Sequence, residues 1–294
     1  MRQISDEAKK TVNSMASAYR SDKIRQWLSP PDPSTNANKA RELRYKGTGC
    51  WLLENPTFQE WRKGTRQHLW LLGLAGCGKT VLSGAVLDHL AEKDDHVVLS
   101  FFFDFNDTRK QTLDGMLRSL IYQLYSRGGD YEAEIDKLYQ AHSGETQPAT
   151  KTLSDAVAQV LRNSKQVFVL LDALDEATTR PALVSWIKSI ADTPELGHVK
   201  MMYTSRPEKE FVRDIPDIIG EESCLETDQE SINADIRTYV VRRLEESREM
   251  AKWASRPTML AQIRDVIGSK SDGMCVVKRF SSLFSKQVFV NTLS

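Results

Sequence analysis

Gly73-Leu74-Ala75-Gly76-Cys77-Gly78-Lys79-Thr80 is the stretch on which the reading of this chain turns. It fits the pattern GxxxxGK followed by Ser or Thr at every fixed position. The apolar run Leu69-Trp70-Leu71-Leu72 precedes it and reads as a buried strand. A helical pattern with Val81, Leu82, Ala85, Val86 and Leu90 inward follows, from Thr80 to about Glu92. Strand, glycine-rich turn and helix in that order make a cradle for phosphate. Gly73, Ala75, Gly76 and Gly78 let the main chain wrap an anion closely, so that successive N–H groups point at its oxygens. The start of the helix adds its positive dipole end. Lys79 reaches the β- and γ-phosphates, and the Thr80 hydroxyl is a hard oxygen ligand for Mg²⁺. Cys77 contributes its backbone N–H rather than its thiol. A glycine-rich turn before an ordinary helix is the plain alternative, and the flanking strand and helix weigh against it.

A second element, Gln166-Val167-Phe168-Val169-Leu170-Leu171-Asp172-Ala173-Leu174-Asp175-Glu176, is an apolar strand that ends in three carboxylates. In an open α/β sheet the carboxyl ends of the strands face the ligand crevice. Asp172 is therefore placed beside Mg²⁺, in contact with it through water. Glu176, and with less weight Asp175, is a candidate to orient or deprotonate an attacking water. Acids capping the next helix in a surface loop are the alternative. A third element, Met201-Met202-Tyr203-Thr204-Ser205-Arg206-Pro207, is another strand ending in polar groups. Arg206 either contacts the γ-phosphate or pairs with a carboxylate at the strand end, and spacing does not separate the two.

Around these elements the chain alternates strands with helical patterns. Val97–Phe103 is a β-branched and aromatic strand, and Leu113, Met116, Leu117, Leu120, Ile121 and Leu124 share one helical face. A fifth strand is placed at Ser223–Leu225, and Ile232, Ile236, Tyr239, Val240 and Leu244 share a face of a later helix. Short apolar strands between helices argue for a parallel sheet covered on both faces. Residues 5–28 read as a helix capped by Ser5, with an apolar stripe of Ala8, Val12, Met15 and Tyr19. That stripe packs either on the chain's own core, the favoured reading, or on a partner protein. Ser29-Pro30-Pro31-Asp32-Pro33 ends the helix, and the polar stretch to Lys46 reads as a linker. The divisions expected are 1–45 (helix and linker), 46–228 (nucleotide-binding domain) and 229–294 (helical segment).

Together these residues resemble the NACHT-type domains of the STAND class of P-loop NTPases. GLAGCGKT is similar to that family's Walker A, LLDALDE to its extended Walker B, and MMYTSRP to its sensor strand. Trp27-Leu28-Ser29-Pro30, Asp32-Pro33-Ser34-Thr35-Asn36, Gly47-Thr48-Gly49-Cys50-Trp51-Leu52, Phe58–Trp61 and Phe101–Asp107 resemble the fungal NLR-like proteins whose P-loop region is described as nephrocystin-like N-terminal. The resemblance implies a five-stranded parallel core with the sensor strand between the Walker strands. It implies binding of ATP/ADP or GTP/GDP with Mg²⁺, slow hydrolysis, and a switch between open and closed states. It further implies oligomerisation and a signal in non-self recognition or programmed cell death. The Gly47–Leu52 turn sits where the family contacts the base. Unlike the family, the chain carries no sensor repeats, and Cys275–Ser294 does not continue the pattern after Ser271–Met274; it reads as a natural short form, a fragment or an altered reading of the gene's end. A non-catalytic nucleotide-binding scaffold is the alternative function.

Composition narrows the classes. With 40 Lys plus Arg against 40 Asp plus Glu, the net charge is zero, which gives no electrostatic basis for nucleic-acid capture. No apolar run is long enough to span a bilayer, and MRQISDEAKK lacks the apolar core of a secretory signal. The four cysteines are scattered without a CxxC pair, so a reducing, cytoplasmic setting is expected.

Overall fold

The computed structural model describes residues 2–45, 47–92 and 96–246. In chain order these form α1 (Arg2–Leu28), α2 (Ser34–Leu43), α3 (Cys50–Glu54), α4 (Pro56–Lys63), β1 (His68–Leu72), α5 (Lys79–Ala91), β2 (Val97–Phe102), α6 (Leu113–Tyr125), α7 (Asp130–Ala141), α8 (Thr150–Arg162), β3 (Val167–Asp172), α9 (Arg180–Ala191), β4 (Val199–Ser205), α10 (Lys209–Ile219), β5 (Cys224–Glu226) and α11 (Gln229–Glu246). The five strands are parallel, in the order β2-β3-β4-β1-β5. β4 therefore lies between β1 and β3, as the resemblance implied. Its register sets Leu72 opposite Ser205 and Leu171 opposite Tyr203, so the ends of these three strands reach one crevice.

Alternation along each strand divides the core. Leu69, Leu71, Phe168, Leu170 and Met202 pack on α4 and α5 through Phe58, Trp61, Leu82 and Val86. Trp70, Val167, Val169, Leu171, Met201 and Tyr203 face the other way, toward α6, α8, α9 and α10. Both faces are thus buried, which is why β1 and β3 read as unbroken apolar runs rather than as alternating ones. Local chemistry fixes the helix ends. Asn55 caps α4 by accepting from Thr57 N–H at 2.9 Å, with Pro56 next in line. Thr112 caps α6 by accepting from Gly115 N–H at 3.1 Å.

Two expectations about the N-terminal region are corrected. Residues 34–43 are not linker but α2. Its buried residues are only Ala37 and Ala40, so it shows almost no apolar pattern. It docks because α5 offers Gly84, where an added Cβ would lie 3.1 Å from the Ala40 Cβ. In α1, Ser5 lies inside the helix rather than at its cap, since the helix runs from Arg2. Ile24, Trp27 and Leu28 are buried, but Val12, Met15 and Tyr19 are about two-thirds exposed, at 63%, 66% and 66%. The favoured packing of that stripe on the chain's own core does not hold for these three residues, because only the last turns of α1 enter the core, beside α6. The segment expected at 229–294 is described as far as Glu246. Residues 247–294 lie outside the described residues, as do Lys46 and the side chains of Ala8, Val240 and Leu244.

Candidate functional site

The glycine-rich loop leaves β1 at Gly73, whose N–H donates to Ser205 O at 3.2 Å, and enters α5 at Lys79. Gly76 and Gly78 have φ of 78° and 88°, in the left-handed region that L side chains rarely adopt. A Cβ on Gly73 would stand 2.3 Å from Thr227 Oγ1 and 2.8 Å from Cys77 Sγ, so that position admits glycine. A Cβ on Gly78 would meet nothing within 4 Å. The loop is thus a concave turn with open space at its mouth, at the start of a 13-residue helix. Lys79 Nζ folds back to donate to Gly73 O at 2.6 Å and Leu74 O at 2.9 Å. Its Nζ is thereby held against the carbonyls of the loop.

Asp172 ends β3 and is 1% exposed. Its Oδ2 accepts from Thr80 Oγ1 at 2.7 Å, and its Oδ1 accepts from Ser83 Oγ at 2.6 Å and Thr204 Oγ1 at 2.7 Å. Burial pushes its pKa above the ordinary carboxylate value, against the three hydroxyls and Lys79, which favour ionisation. A buried carboxylate beside a hydroxyl at the foot of a phosphate cradle is the donor set Mg²⁺ prefers: hard oxygens with negative charge. The residues present fit nucleotide and metal. Thr80, at the start of α5, and Asp172, at the end of β3, are brought together at the crevice. Ser83 and Thr204 did not stand out there, because a serine one turn into a helix and a threonine in a strand are generic.

Beyond Asp172 the chain bends sharply. Ala173 adopts φ 59°, ψ 52°, and its N–H donates to Thr204 Oγ1 at 2.9 Å. A β-branched side chain would raise the strain of this left-handed turn, which a small residue after the aspartate avoids. The turn leads into a single 3₁₀ turn, Leu174–Glu176, that separates the two remaining carboxylates. Asp175 turns inward and pairs with Arg206: its Oδ1 accepts from Arg206 N–H at 3.0 Å, and Arg206 Nε lies 3.1 Å from its Oδ2. This ion pair at the strand end is the alternative that spacing left open for Arg206. Glu176 is half-buried and its Oε2 accepts from Phe105 N–H at 2.9 Å. Burial raises its pKa, and Asp175, Asp104 and Asp172 raise it further, while the Phe105 amide works in the opposite direction. A carboxylate made more basic in this way suits proton transfer from water. Arg180, unremarkable in the sequence, braces the turn: it donates to the Asp175 and Ala177 carbonyls and to Glu210 Oε1, the last at 2.7 Å.

On the other side of the loop, Gly47–Leu52 lies against α11. Asp235 Oδ2 accepts from Gly49 N–H at 2.9 Å and from Trp51 Nε1 at 3.1 Å. A cleft lined by Thr48, Gly49, Cys77, Gly78, Ile232 and Asp235 opens between this turn and the phosphate loop. Cys77, whose backbone was expected to matter more than its thiol, also buries its side chain against Ile232 and Ile236.

A family model described as nephrocystin 3, N-terminal, matches residues 47–206, from that turn to Arg206. The vegetative incompatibility protein HET-E-1 of Podospora anserina is 29% identical over 248 residues, which cover 78% of this chain and 17% of that protein. The chain therefore spans under a fifth of the length of this curated relative. Among solved structures, Cdc6p from Pyrobaculum aerophilum is similar with a TM-score of 0.49 and 11% identity, over 73% of this chain and 52% of that one. The Orc1 protein of Aeropyrum pernix, solved in complex with DNA, is similar with a TM-score of 0.41 and 15% identity, over 77% and 64%. Among the described residues, no helix is long and apolar enough to cross a membrane.

Proposed function

The chain belongs to the nephrocystin 3, N-terminal family of P-loop NTPases, and from that premise we propose that it binds ATP or GTP with Mg²⁺, hydrolyses it slowly, and acts as a STAND-type switch. The observation that carries the reading is the meeting of Thr80 with the buried Asp172, 2.7 Å apart, at the foot of a glycine-rich loop whose carbonyls hold the Lys79 Nζ. In this reading the main-chain N–H groups of Gly76, Cys77 and Gly78 and the Lys79 ammonium bind and orient phosphate oxygens. Thr80 and Asp172 would hold Mg²⁺, which, when bound, neutralises charge on the phosphates. Ser83 and Thr204 keep the Asp172 carboxylate turned toward that place. Glu176 orients water and takes its proton. The Thr48–Gly49 turn and Asp235 border the space for the base.

The kinship with a vegetative incompatibility protein supports a role in non-self recognition or cell death, and the exposed Val12, Met15 and Tyr19 face supports contact with a partner protein or a second copy. One observation favours the scaffold as a second reading. Asp175 and Arg206 occupy each other, which leaves Glu176 to carry water activation and agrees with low or no turnover. Calorimetry with ATP, ADP, GTP and GDP, with and without Mg²⁺, tests the proposal. Saturable binding of one base, lost in Lys79→Ala, is expected; unchanged binding by that variant would overturn the site. Phosphate release that is slow in the parent and slower still in Glu176→Gln separates the enzyme from the scaffold.

A further inference from the structure

The segment Asp32-Pro33-Ser34-Thr35-Asn36 lies outside the site described above, yet its side chains grip the loop that holds Glu176. Asp32 Oδ1 accepts from Ser34 N–H at 2.8 Å and Ser34 Oγ at 2.7 Å, which fixes the first turn of α2. Asn36 Nδ2 then donates to Asp104 Oδ2 at 2.9 Å. Lys110, 4% exposed, donates from Nζ to Thr35 Oγ1 at 2.7 Å and to Asn36 Oδ1 at 2.6 Å. Asp104 and Lys110 are the two jaws of the β2–α6 loop, joined by Asp104 N–H to Lys110 O at 3.3 Å. The residue after Asp104 is Phe105, whose N–H holds Glu176. From the other side, Gln111 Nε2 donates to Phe105 O at 2.7 Å, and Gln111 O accepts from Thr178 N–H at 2.8 Å.

Such an arrangement is not the cheapest way to fold a loop. Burial lowers the Lys110 pKa, against Asp107, Asp104 and Asp32, which support its charge. An apolar side chain of similar length would fill the place without burying an ammonium. What the polar clamp adds is direction. Each bond fixes an angle as well as a distance, and the Phe105 ring, 66% exposed, does not anchor the loop. The amide that meets Glu176 is one peptide unit from the carboxylate held by Asn36.

We propose that Asn36, with Thr35 and Lys110, is a positioning element for Glu176: it sets the Phe105 amide that orients the carboxylate, and it gives the N-terminal helices a means of changing the hydrolysis rate without changing nucleotide affinity. The proposal rests on the reading of Glu176 as the group that orients water. α1 is joined to the clamp by Ser29–Pro33, a stretch stiffened by three prolines. Motion of the α1 end, seated by Trp27 Nε1 on Thr146 O at 2.9 Å, is therefore passed to Asn36 rather than absorbed.

The test uses the full chain and three variants, Asn36→Ala, Lys110→Met and Glu176→Gln, with Thr35→Ser as the conservative control. Hydrogen exchange over residues 103–111 is read without nucleotide, and affinity and single-turnover phosphate release are read with Mg-nucleotide. In Asn36→Ala and Lys110→Met the loop is expected to exchange roughly tenfold faster. Phosphate release is expected to fall roughly ten- to a hundredfold at an affinity within about twofold of the parent. Thr35→Ser keeps parental values, and Asn36→Ala adds no further loss on top of Glu176→Gln. Unchanged loop exchange in a folded Asn36→Ala and Lys110→Met overturns the proposal whatever the activity. So does a loss of affinity that accounts for the slower release. Parental phosphate release by Glu176→Gln overturns instead the reading of Glu176, while the exchange data still report whether the clamp sets the Phe105 amide.

Discussion

Replacing Asp172 with Asn should stabilise the nucleotide-free protein while destroying its hold on Mg-nucleotide. The carboxylate is 1% exposed and receives three hydroxyl hydrogen bonds, from Thr80, Ser83 and Thr204. Hydrogen bonds to a charged group are worth about 1.5–3 kcal/mol each and neutral ones about 1, so the neutral amide gives up roughly 3 kcal/mol in all. Against this stands the burial of an ion, which is worth several kcal/mol even after relaxation. The direction of the Asp172 pKa, raised chiefly by burial, says that the second quantity is the larger. Sign follows: a carboxyl whose folded pKa is raised destabilises the fold above that pKa and ceases to do so as pH falls through it. The amide should therefore be more stable at neutral pH by about 1–2 kcal/mol, a rise in melting temperature of roughly 2–6 °C for a chain of this size. Thermal melting without nucleotide, followed by calorimetry with Mg-nucleotide, reads both halves. A melting temperature that falls in Asp172→Asn would refute the reasoning, since the hydroxyls would then outweigh the buried charge. Undiminished Mg-dependent affinity would refute the role of the group.

Three further predictions bear on the frame around the site. Ala173→Gly should change urea stability by less than about 1 kcal/mol, because relief of the left-handed turn offsets the added freedom of the unfolded chain. Ala173→Val should lose about 1–2 kcal/mol, and a Val variant as stable as the parent would contradict the φ of 59°. Burial, with Lys200 nearby, depresses the His68 pKa to about 4. The folded protein should thus lose about 3 kcal/mol as pH drops from about 6.5 through 4, and His68→Gln should flatten that decline in acid melting curves. Gly84→Leu should destabilise by about 1–3 kcal/mol by prising α2 from α5, whereas a neutral effect would mean that Ala40 does not seat there.

The parts of the fold legible in the sequence are those where chemistry leaves little choice. Strands covered on both faces must be apolar throughout, so β1 and β3 announce themselves, and a loop that wraps phosphate needs its glycines at fixed places. Glu176 and Asp172 were legible because they follow such a strand. α2 was hidden because its buried face is Ala37 and Ala40, residues that carry no apolar signal unless Gly84 opposite is known. Contacts such as Asp235 with Gly49, or Asn36 with Asp104, join residues remote in the chain, and neither spacing nor composition encodes them. For Arg206 the sequence offered two partners of similar merit, and the structure shows it on Asp175.

Cys77 has a mechanical side as well as a chemical one. Its side chain is the peg on which Ile232 and Ile236 rest, near the start of α11. Any rearrangement of the loop that shifts this peg must either open a void beneath the two isoleucines or carry the helix with it. α11 has 18 residues, a rod of roughly 27 Å, and Ile232, Asp235, Ile236 and Tyr239 hold it along its first two-thirds. A shift of the loop that carries these contacts carries the whole rod, so the position of Glu246 is tied through Cys77 to the shape of the loop.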